Sequence, residues 1–555
     1  MVLGGNNKSE PARVSKGFSR LVAGAHRSGK TPAIARPGFT SCGRGGSLSG
    51  LQFQFDADSK TGAIMSTVLI NPNLVVQRND LFTTGVVYMP IGLAYSAAAL
   101  REEGLPVTVI DAFGERPRQT RREGGFMFLG LSPDEVAQRI PSDVRVIGIY
   151  ANQLINHTSV VQIILAAKRA HPGVPVVLLE NTQAVTAYAL RPVADTLFEA
   201  GADYLLTGEG DRRVPAMVRA FISDRPEEAL KNVDGLCSPA FQNPPIGFID
   251  DLDALPFPAW DLFPLAGYWS LRFAHGPLSG KTYLPLLTSR GCPYPCRFCV
   301  VPATNNKKWR SRSANSIADE VAFLKRTFGV TEFHLEDLNP TISDVRIRAM
   351  CAEFIRRDLG ITWKIVAGTK VESMRTEETI DLMAEAGCRY ISISPESGSA
   401  RILKLIDKPF NVGHAVNLIR RMNLVGIRSQ ACFVLGFPDE NDDDRKLTTA
   451  MVRDMVRNGV DEIALFIISP VPGSKIFEQF SGYTSLSELN FTPTWREDYK
   501  MLNSFRLRLY LKFLGWKLIF HPYKILRQAW NFIIRNFETK MEMVPYKALV
   551  LRSLK

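Results

Sequence analysis

Short apolar runs alternate with segments of helical period along most of the chain, in two blocks. In the first, Thr67–Ile70, Val107–Ile110, Val144–Tyr150, Val176–Leu179 and Tyr204–Thr207 read as buried strands. Pro90–Glu103, Pro133–Arg139, Ser159–Ala170 and Val193–Ala200 read as the helices between them. Strands that alternate with helices predict a parallel sheet, here in a doubly wound, Rossmann-like α/β domain over 65–225. Such domains take ligands at the carboxyl ends of their strands. Those ends carry Asn71, Asp111, Asn152, Glu180 with Asn181, and Gly208-Glu209-Gly210.

A Pro-rich connector over 226–280, with Leu255-Pro256-Phe257-Pro258-Ala259-Trp260 at its centre, separates the blocks. The second block has strands at Leu284–Thr288, Glu332–Glu336, Thr362–Val366, Tyr390–Ser394, Gln430–Leu435 and Glu462–Ile468. Helical segments at 315–328, 343–358, 377–386, 412–425 and 444–458 lie between them. Six such strands over 281–480 predict a partial (β/α)6 TIM-type barrel, short of the eight units that close a full one. In the tail, 481–555, Phe505, Leu509, Phe513, Trp516 and Phe520 recur at helical spacing among Arg506, Arg508, Lys512 and Lys517. After His521-Pro522 the pattern resumes over 523–537, which predicts a basic amphipathic helical pair. Such a pair either lies in a membrane interface or caps the barrel with its lysines exposed.

Composition narrows the picture. The 555 residues are 45% hydrophobic and 22% charged, which excludes wholesale disorder, collagen and a disulfide miniprotein. The net charge of +12 is uneven: residues 1–64 carry +6 and residues 496–555 carry +9, leaving the body at −3. A slightly acidic body argues against nucleic acid as the partner. Eight cysteines, three of them clustered, suit a reducing compartment and a metal or redox site. Residues 1–30 hold no continuous apolar stretch, and the charge-free run Leu81–Leu100 is interrupted by Thr83, Thr84, Gly85, Pro90 and Gly92. That run reads as strand, loop and helix rather than a membrane span. The expected location is cytoplasmic, with peripheral contact at the inner membrane face through 500–555.

Residues 1–64 are rich in Gly, Ser and Arg and read as disordered, as a transit peptide, or as an extension ahead of a true start at Met65. Gly24–Thr31 matches the phosphate-loop pattern, but no strand precedes it, and Pro32 and Pro37 stand where its helix should run.

The chemical signal is Gly291-Cys292-Pro293-Tyr294-Pro295-Cys296-Arg297-Phe298-Cys299, a CxxxCxxC loop directly after the second block's first strand. Structural zinc needs four ligands, and no fourth Cys or His follows within the next thirty residues. Iron–sulfur clusters usually take four cysteines, so three leave one iron open to a substrate-like ligand. Other candidates are weaker. His157, near a strand's carboxyl end, reads as a solvated loop histidine with a ligand-facing one as the alternative, and His334 as either packed or near the reacting centre. Cys351, Cys388 and Cys432 read as core, while Cys42 and Cys237 carry no spacing signal.

This loop resembles the hallmark of the radical S-adenosylmethionine (SAM) superfamily, and Phe298 matches the aromatic before its last cysteine. Phe333–Asp337, Ile391–Ser399, Phe433–Pro438 and Ser469–Ser474 resemble, in order, that family's segments at the ends of its second, fourth, fifth and sixth strands. The resemblance implies a 4Fe-4S cluster on Cys292, Cys296 and Cys299, with SAM near Phe298, Glu336, Glu396, Ser397 and Gly436. It also implies a flavodoxin- or ferredoxin-like electron donor. The first block and its Gly208-Glu209-Gly210 turn resemble the cobalamin-binding module of one branch of that superfamily. That implies cobalamin near Asp111, Asn152, Glu180, Gly208 and Glu209. The resemblance departs where the DxHxxG pattern is replaced by Asp111-Ala112-Phe113-Gly114, and where Glu180-Asn181 stands for the usual Gly-Gly. The implied activity is methyl transfer to an unactivated carbon of a small-molecule or lipid-like substrate, through a 5′-deoxyadenosyl radical and methylcobalamin. Oxidative cyclisation or rearrangement is the alternative outcome, and a non-catalytic cluster-binding or sensing protein a minor one.

Overall fold

The computed structural model describes residues 66–554, so the expectations for 1–64, the phosphate-loop pattern and Cys42 lie outside the described residues. Five strands, Ser66–Asn71, Val107–Asp111, Val144–Ala151, Val176–Glu180 and Tyr204–Leu206, run parallel in one sheet. Ser66–Asn71 lies between Val107–Asp111 and Val144–Ala151, with Ile70 opposite both Ile110 and Ile149. The chain therefore turns from one side of its first strand to the other, which opens a crevice at the carboxyl ends of these strands. Val68, Leu69, Ile70, Ile147, Ile149, Val177 and Leu178 are fully buried, as strands covered on both faces must be. The helix Pro133–Arg139 begins where the sequence placed it: Ser132 and Glu135 form a reciprocal cap, and Pro133 opens the first turn.

Three features depart from the expected layout. The first sheet does not stop at 225: Leu236–Ser238 and Phe241–Gln242, in the stretch read as connector, extend it with antiparallel strands. A separate antiparallel sheet joins Leu74–Gln77, Phe126–Leu129 and Thr120–Glu123. Its hairpin closes through Gly124-Gly125, with Gly124 at φ +52°, a Gly-Gly turn signal that the strand reading passed over. The tail forms three helices rather than two, Tyr499–Phe520, Pro522–Ile534 and Lys540–Ser553.

The second sheet contains Leu284–Leu286, Glu332–Leu335, Thr362–Thr369, Cys388–Glu396, Arg428–Leu435 and Glu462–Ile467, all parallel and in sequential order. The helices between them match the expected segments closely, as in Ala314–Phe328 and Val412–Val425. Both sheets belong to one compact unit, Ala63–Lys555. Two buried, two-pronged ion pairs join them near the cysteine loop. Arg290 grips Asp211 at 2.6 and 2.8 Å, and Arg310 grips Glu209 at 2.7 and 2.8 Å.

Candidate active site

Cys292, Cys296 and Cys299 are partly exposed free thiols on the loop that follows the first strand of the second sheet. Gly291 sets up that loop. Its φ is +79°, and a Cβ there would meet the Lys308 carbonyl oxygen at 1.9 Å, so only glycine fits. The Arg297 N–H donates to the Ile406 carbonyl at 3.1 Å, and the Val301 N–H to Cys299 Sγ at 3.4 Å. Burial raises all three thiols above the ordinary range, Cys299 to about 12, while Lys408 opposes the rise at each. Among the described residues, no three His, Cys, Asp or Glu side chains converge closely enough for a single metal ion. A multi-iron cluster holds its thiolates further apart than one ion does, and thiolates are its usual ligands.

The sequence-level candidates around this loop separate into two groups. Phe298 lies edge-on to Phe437, with ring centroids 5.5 Å apart, and Gly436 makes the turn just before Phe437 at φ +79°. Glu396, at the end of its strand with φ +63°, forms a buried ion pair with Lys408. The Lys408 ammonium stands 5.8 Å from the Phe298 ring centroid. Burial works to lower the Lys408 pKa, but Glu396 and the Cys296 and Cys299 thiols raise it by more, so it stays cationic. Ser397 is fully buried, and its hydroxyl accepts from the Ser399 N–H within the turn. Glu336 stands apart from this group. Its carboxylate accepts from His275 Nδ1 at 2.7 Å, and it lines a cavity facing the first sheet.

That cavity is shared by both sheets. Tyr150, Asn152, Gln153, Asn181 and Gln183 line it from the carboxyl ends of the first sheet, and Glu336 from the second. A neighbouring cavity of about 70 Å³ is lined by Thr83, Thr84 and Tyr88, by Leu154 and Ile155, and by Ser469 and Val471 after the last strand of the second sheet. Gln183 Oε1 and Ser469 Oγ are buried in these walls without a hydrogen-bond partner. Unpaired buried polar atoms are costly, so these two oxygens suit a ligand that carries donors.

The five candidates of the first block fare unequally. Asn152 lines the shared cavity, though its amide is engaged: Nδ2 donates to Asn71 at 2.9 Å and Oδ1 accepts from Asn156 at 3.0 Å. Glu180 and Gly208 line a smaller adjoining pocket, where the Glu180 carboxylate accepts from the Gly208 and Leu190 N–H groups at 2.7 and 3.0 Å. Asp111 is 1% exposed and does not reach either cavity. It accepts from the Tyr268 hydroxyl, Asn71 and the Gly114 N–H, and burial pushes its carboxyl up to about 6. Glu209 is likewise buried, in its pair with Arg310. Both residues hold the structure together and have no carboxylate oxygen free for a ligand.

Sequence reading missed Lys408, Lys370, Asn339, His275 and Tyr88. Lys370 lies 4.1 Å from the Tyr294 ring centroid, over the cysteine loop, and the Asn339 side chain reaches Cys292. Tyr88 lies 4.3 Å from His275, ring to ring. None of these sits in a spacing pattern, although Lys408 follows the Glu396 turn closely enough to be sought there. His157 is not a solvated loop residue. It opens the helix His157–Ala170, is 6% exposed, contacts the Tyr188 hydroxyl at 3.3 Å, and burial lowers its pKa to about 4. His334 is packed, fully buried between Glu332 and Tyr283. Cys351 and Cys388 are buried as expected of core, Cys432 is only partly so, and Cys237, for which spacing gave no expectation, is buried as well.

Comparison with known proteins agrees with this layout. Residues 286–452 match the radical SAM superfamily. The chain is 26% identical over 481 residues to cytidylyl-2-hydroxyethylphosphonate methyltransferase of Streptomyces wedmorensis, covering 79% of this chain and 86% of that protein. It is 27% identical over 312 residues to anaerobic magnesium-protoporphyrin IX monomethyl ester cyclase of Rubrivivax gelatinosus, covering 53% of each. Among solved structures, the radical SAM methyltransferase TsrM of Kitasatospora setae, with cobalamin and a [4Fe-4S] cluster bound, is similar in fold. Its TM-score is 0.57 at 18% identity, covering 76% of this chain and 79% of that one. The matched segment holds the cysteine loop and the strands from Glu332–Leu335 to Arg428–Leu435, so it is this part of the chain that is similar to the radical SAM superfamily.

Proposed function

We propose that this protein is a cobalamin-dependent radical SAM enzyme that places a methyl group on an unactivated carbon. One observation carries the reading: a cavity is built jointly from the carboxyl ends of both sheets, the second of which also carries the cysteine loop. A ligand held by the first domain would there face a reaction started on the second. When bound, the cluster and SAM supply a radical that abstracts hydrogen, and cobalamin supplies the methyl group.

The chain's own residues have separate tasks. Cys292, Cys296 and Cys299 would hold the cluster and must lose their protons to do so, which their burial resists and Lys408 favours. Phe298, Gly436 and the Glu396–Lys408 pair would bound the SAM site. Gln183 and Ser469 would bind the corrin periphery through their unpaired oxygens, with Asn152 lining the same wall as Gln183. Glu336 and His275 form a hydrogen-bonded pair at the cavity wall, able to hold a proton near a substrate. The second sheet, with six strands in sequence, reads as a partial (β/α)6 barrel. The substrate belongs to the small-molecule or lipid-like class, and a flavodoxin- or ferredoxin-like protein would deliver electrons. The setting is cytoplasmic.

The test is anaerobic reconstitution with iron, sulfide and hydroxocobalamin, followed by cobalamin assay and product mass. Near-stoichiometric cobalamin and a product heavier by one methylene support the reading. Retained 5′-deoxyadenosine formation with no bound cobalamin would overturn it. The cyclase relative supports a second reading, oxidative cyclisation, in which the product loses hydrogen and gains no carbon.

A further inference from the structure

The C-terminal helices present an apolar face that nothing else in the described structure covers. Among the described residues, 21 large hydrophobic side chains are exposed, and 11 of them fall within 501–534. They are ordered. On Tyr499–Phe520, Leu507, Leu511, Leu514 and Leu518 recur at three- and four-residue steps, which places them on one helix face. On Pro522–Ile534, Tyr523, Leu526, Trp530, Ile533 and Ile534 do the same, with Leu526 72% and Trp530 61% exposed. The opposite face is already occupied: Leu502, Leu509 and Phe513 are buried against the body. Scattered exposed leucines need no explanation, but two successive helices with continuous apolar stripes do.

Charge decides what covers the face. Between Asp498 and Glu538 there is no acidic residue; Lys500, Arg508 and Lys512 are exposed on Tyr499–Phe520 and Arg535 just past Pro522–Ile534, while the exposed Arg527 pairs with Glu538. The N-terminal 64 residues carry +6, and a second copy would bring the same +9 tail. A symmetric dimer through this face would set like charges against like. An anionic bilayer surface instead offers a negative plane for the lysines and arginines and an acyl boundary for the leucines and Trp530. No helix of the described residues is long and apolar enough to cross a membrane.

We infer that Tyr499–Phe520 and Pro522–Ile534 together dock the protein onto an anionic lipid surface, lying in the interface plane. The inference rests on this surface alone and is independent of the chemistry in the cavity. It sharpens the sequence reading, which assigned the amphipathic stripe to Phe505, Leu509, Phe513, Trp516 and Phe520. The structure turns Leu509 and Phe513 inward and the Leu507–Leu518 stripe outward.

The test is flotation of the full-length protein with phosphatidylcholine vesicles, with and without phosphatidylglycerol. Three proteins are compared: the natural chain, Leu511→Glu/Trp530→Glu, and Arg508→Glu/Lys512→Glu. All substituted positions are exposed, so circular dichroism and thermal unfolding of the variants should match the natural chain. The natural chain should float with phosphatidylglycerol vesicles and lose that binding as salt rises. Each double variant should bind at least about tenfold more weakly. Equal flotation of all three proteins, or none by the natural chain, would overturn the inference. So would a dimer in size-exclusion chromatography that Leu511→Glu/Trp530→Glu dissolves, which would assign the face to self-association.

Discussion

Arg290, two residues before Cys292, holds Asp211, beside the first sheet, in a two-pronged ion pair with both side chains about 95% buried. The cysteine loop is thus tied directly to the first turn of Gly210–Phe221, a helix that starts at the ligand end of the other sheet. The neighbouring Glu209–Arg310 pair repeats the arrangement. A buried pair adds little net stability over an apolar replacement, but it fixes how the two parts meet, and losing one partner strands the other charge.

Arg290→Ala should therefore destabilise the protein by about 3–5 kcal/mol, read by denaturant unfolding. Asp211→Asn added to it should recover part of that loss, since no charge would then be stranded. If the double variant is no more stable than the single one, the pair is not what the loop depends on.

Gly291→Ala tests the loop from the backbone side. The φ of +79° and the 1.9 Å approach to the Lys308 carbonyl leave no room for a methyl group, so the loop must shift. Iron content after reconstitution should fall severely while the fold, read by far-ultraviolet circular dichroism, persists. Cys296→Ala should lose cluster iron and 5′-deoxyadenosine formation altogether. Full iron loading in Gly291→Ala would mean the loop accommodates the change.

Lys408→Met would leave the Glu396 carboxylate buried without its cation and remove a positive charge from beside Cys296 and Cys299. We expect 5′-deoxyadenosine formation to drop by tenfold or more, in keeping with ~1.5–3 kcal/mol for a hydrogen bond to a charged group. Lys408→Arg should retain more activity than Lys408→Met. Equal activity in the two variants would place the ammonium outside the reaction.

How much of this was readable beforehand follows from how local each feature is. The cysteine loop and the strands that carry it were legible because spacing and apolar runs are properties of neighbouring residues. Asn152 and Glu180 were found as strand ends, yet Asp111, at an equally good strand end, turned out to be consumed by Tyr268, 157 residues further on. His275 and Glu336 lie 61 residues apart, and Arg290 and Asp211 lie 79 apart. No periodicity announces such pairs. The tail shows a different limit. Helical period revealed an amphipathic segment, but both faces of Tyr499–Phe520 carry large apolar residues, so only packing decides which is inside.

Lys547 offers a test that pH alone can read. Its side chain is buried, the residue being 3% exposed, and it donates to the Phe82 and Thr84 carbonyls, on the loop whose Thr83, Thr84 and Gly85 line the cavity next to the shared one. Burial lowers its pKa to about 7, with Asp80 pulling upward and Lys540 downward. In the unfolded chain the group keeps its ordinary value of about 10.4. Between those values the unfolded state binds more protons than the folded one, so stability from this group rises as pH rises. From pH 7 to pH 9 the gain should be on the order of 2 kcal/mol. Lys547→Met removes that slope, so the variant should compare better with the natural chain at pH 7 than at pH 9. Denaturant midpoints for both proteins at the two pH values check this, and a difference that does not change with pH would mean Lys547 keeps an ordinary pKa in the fold.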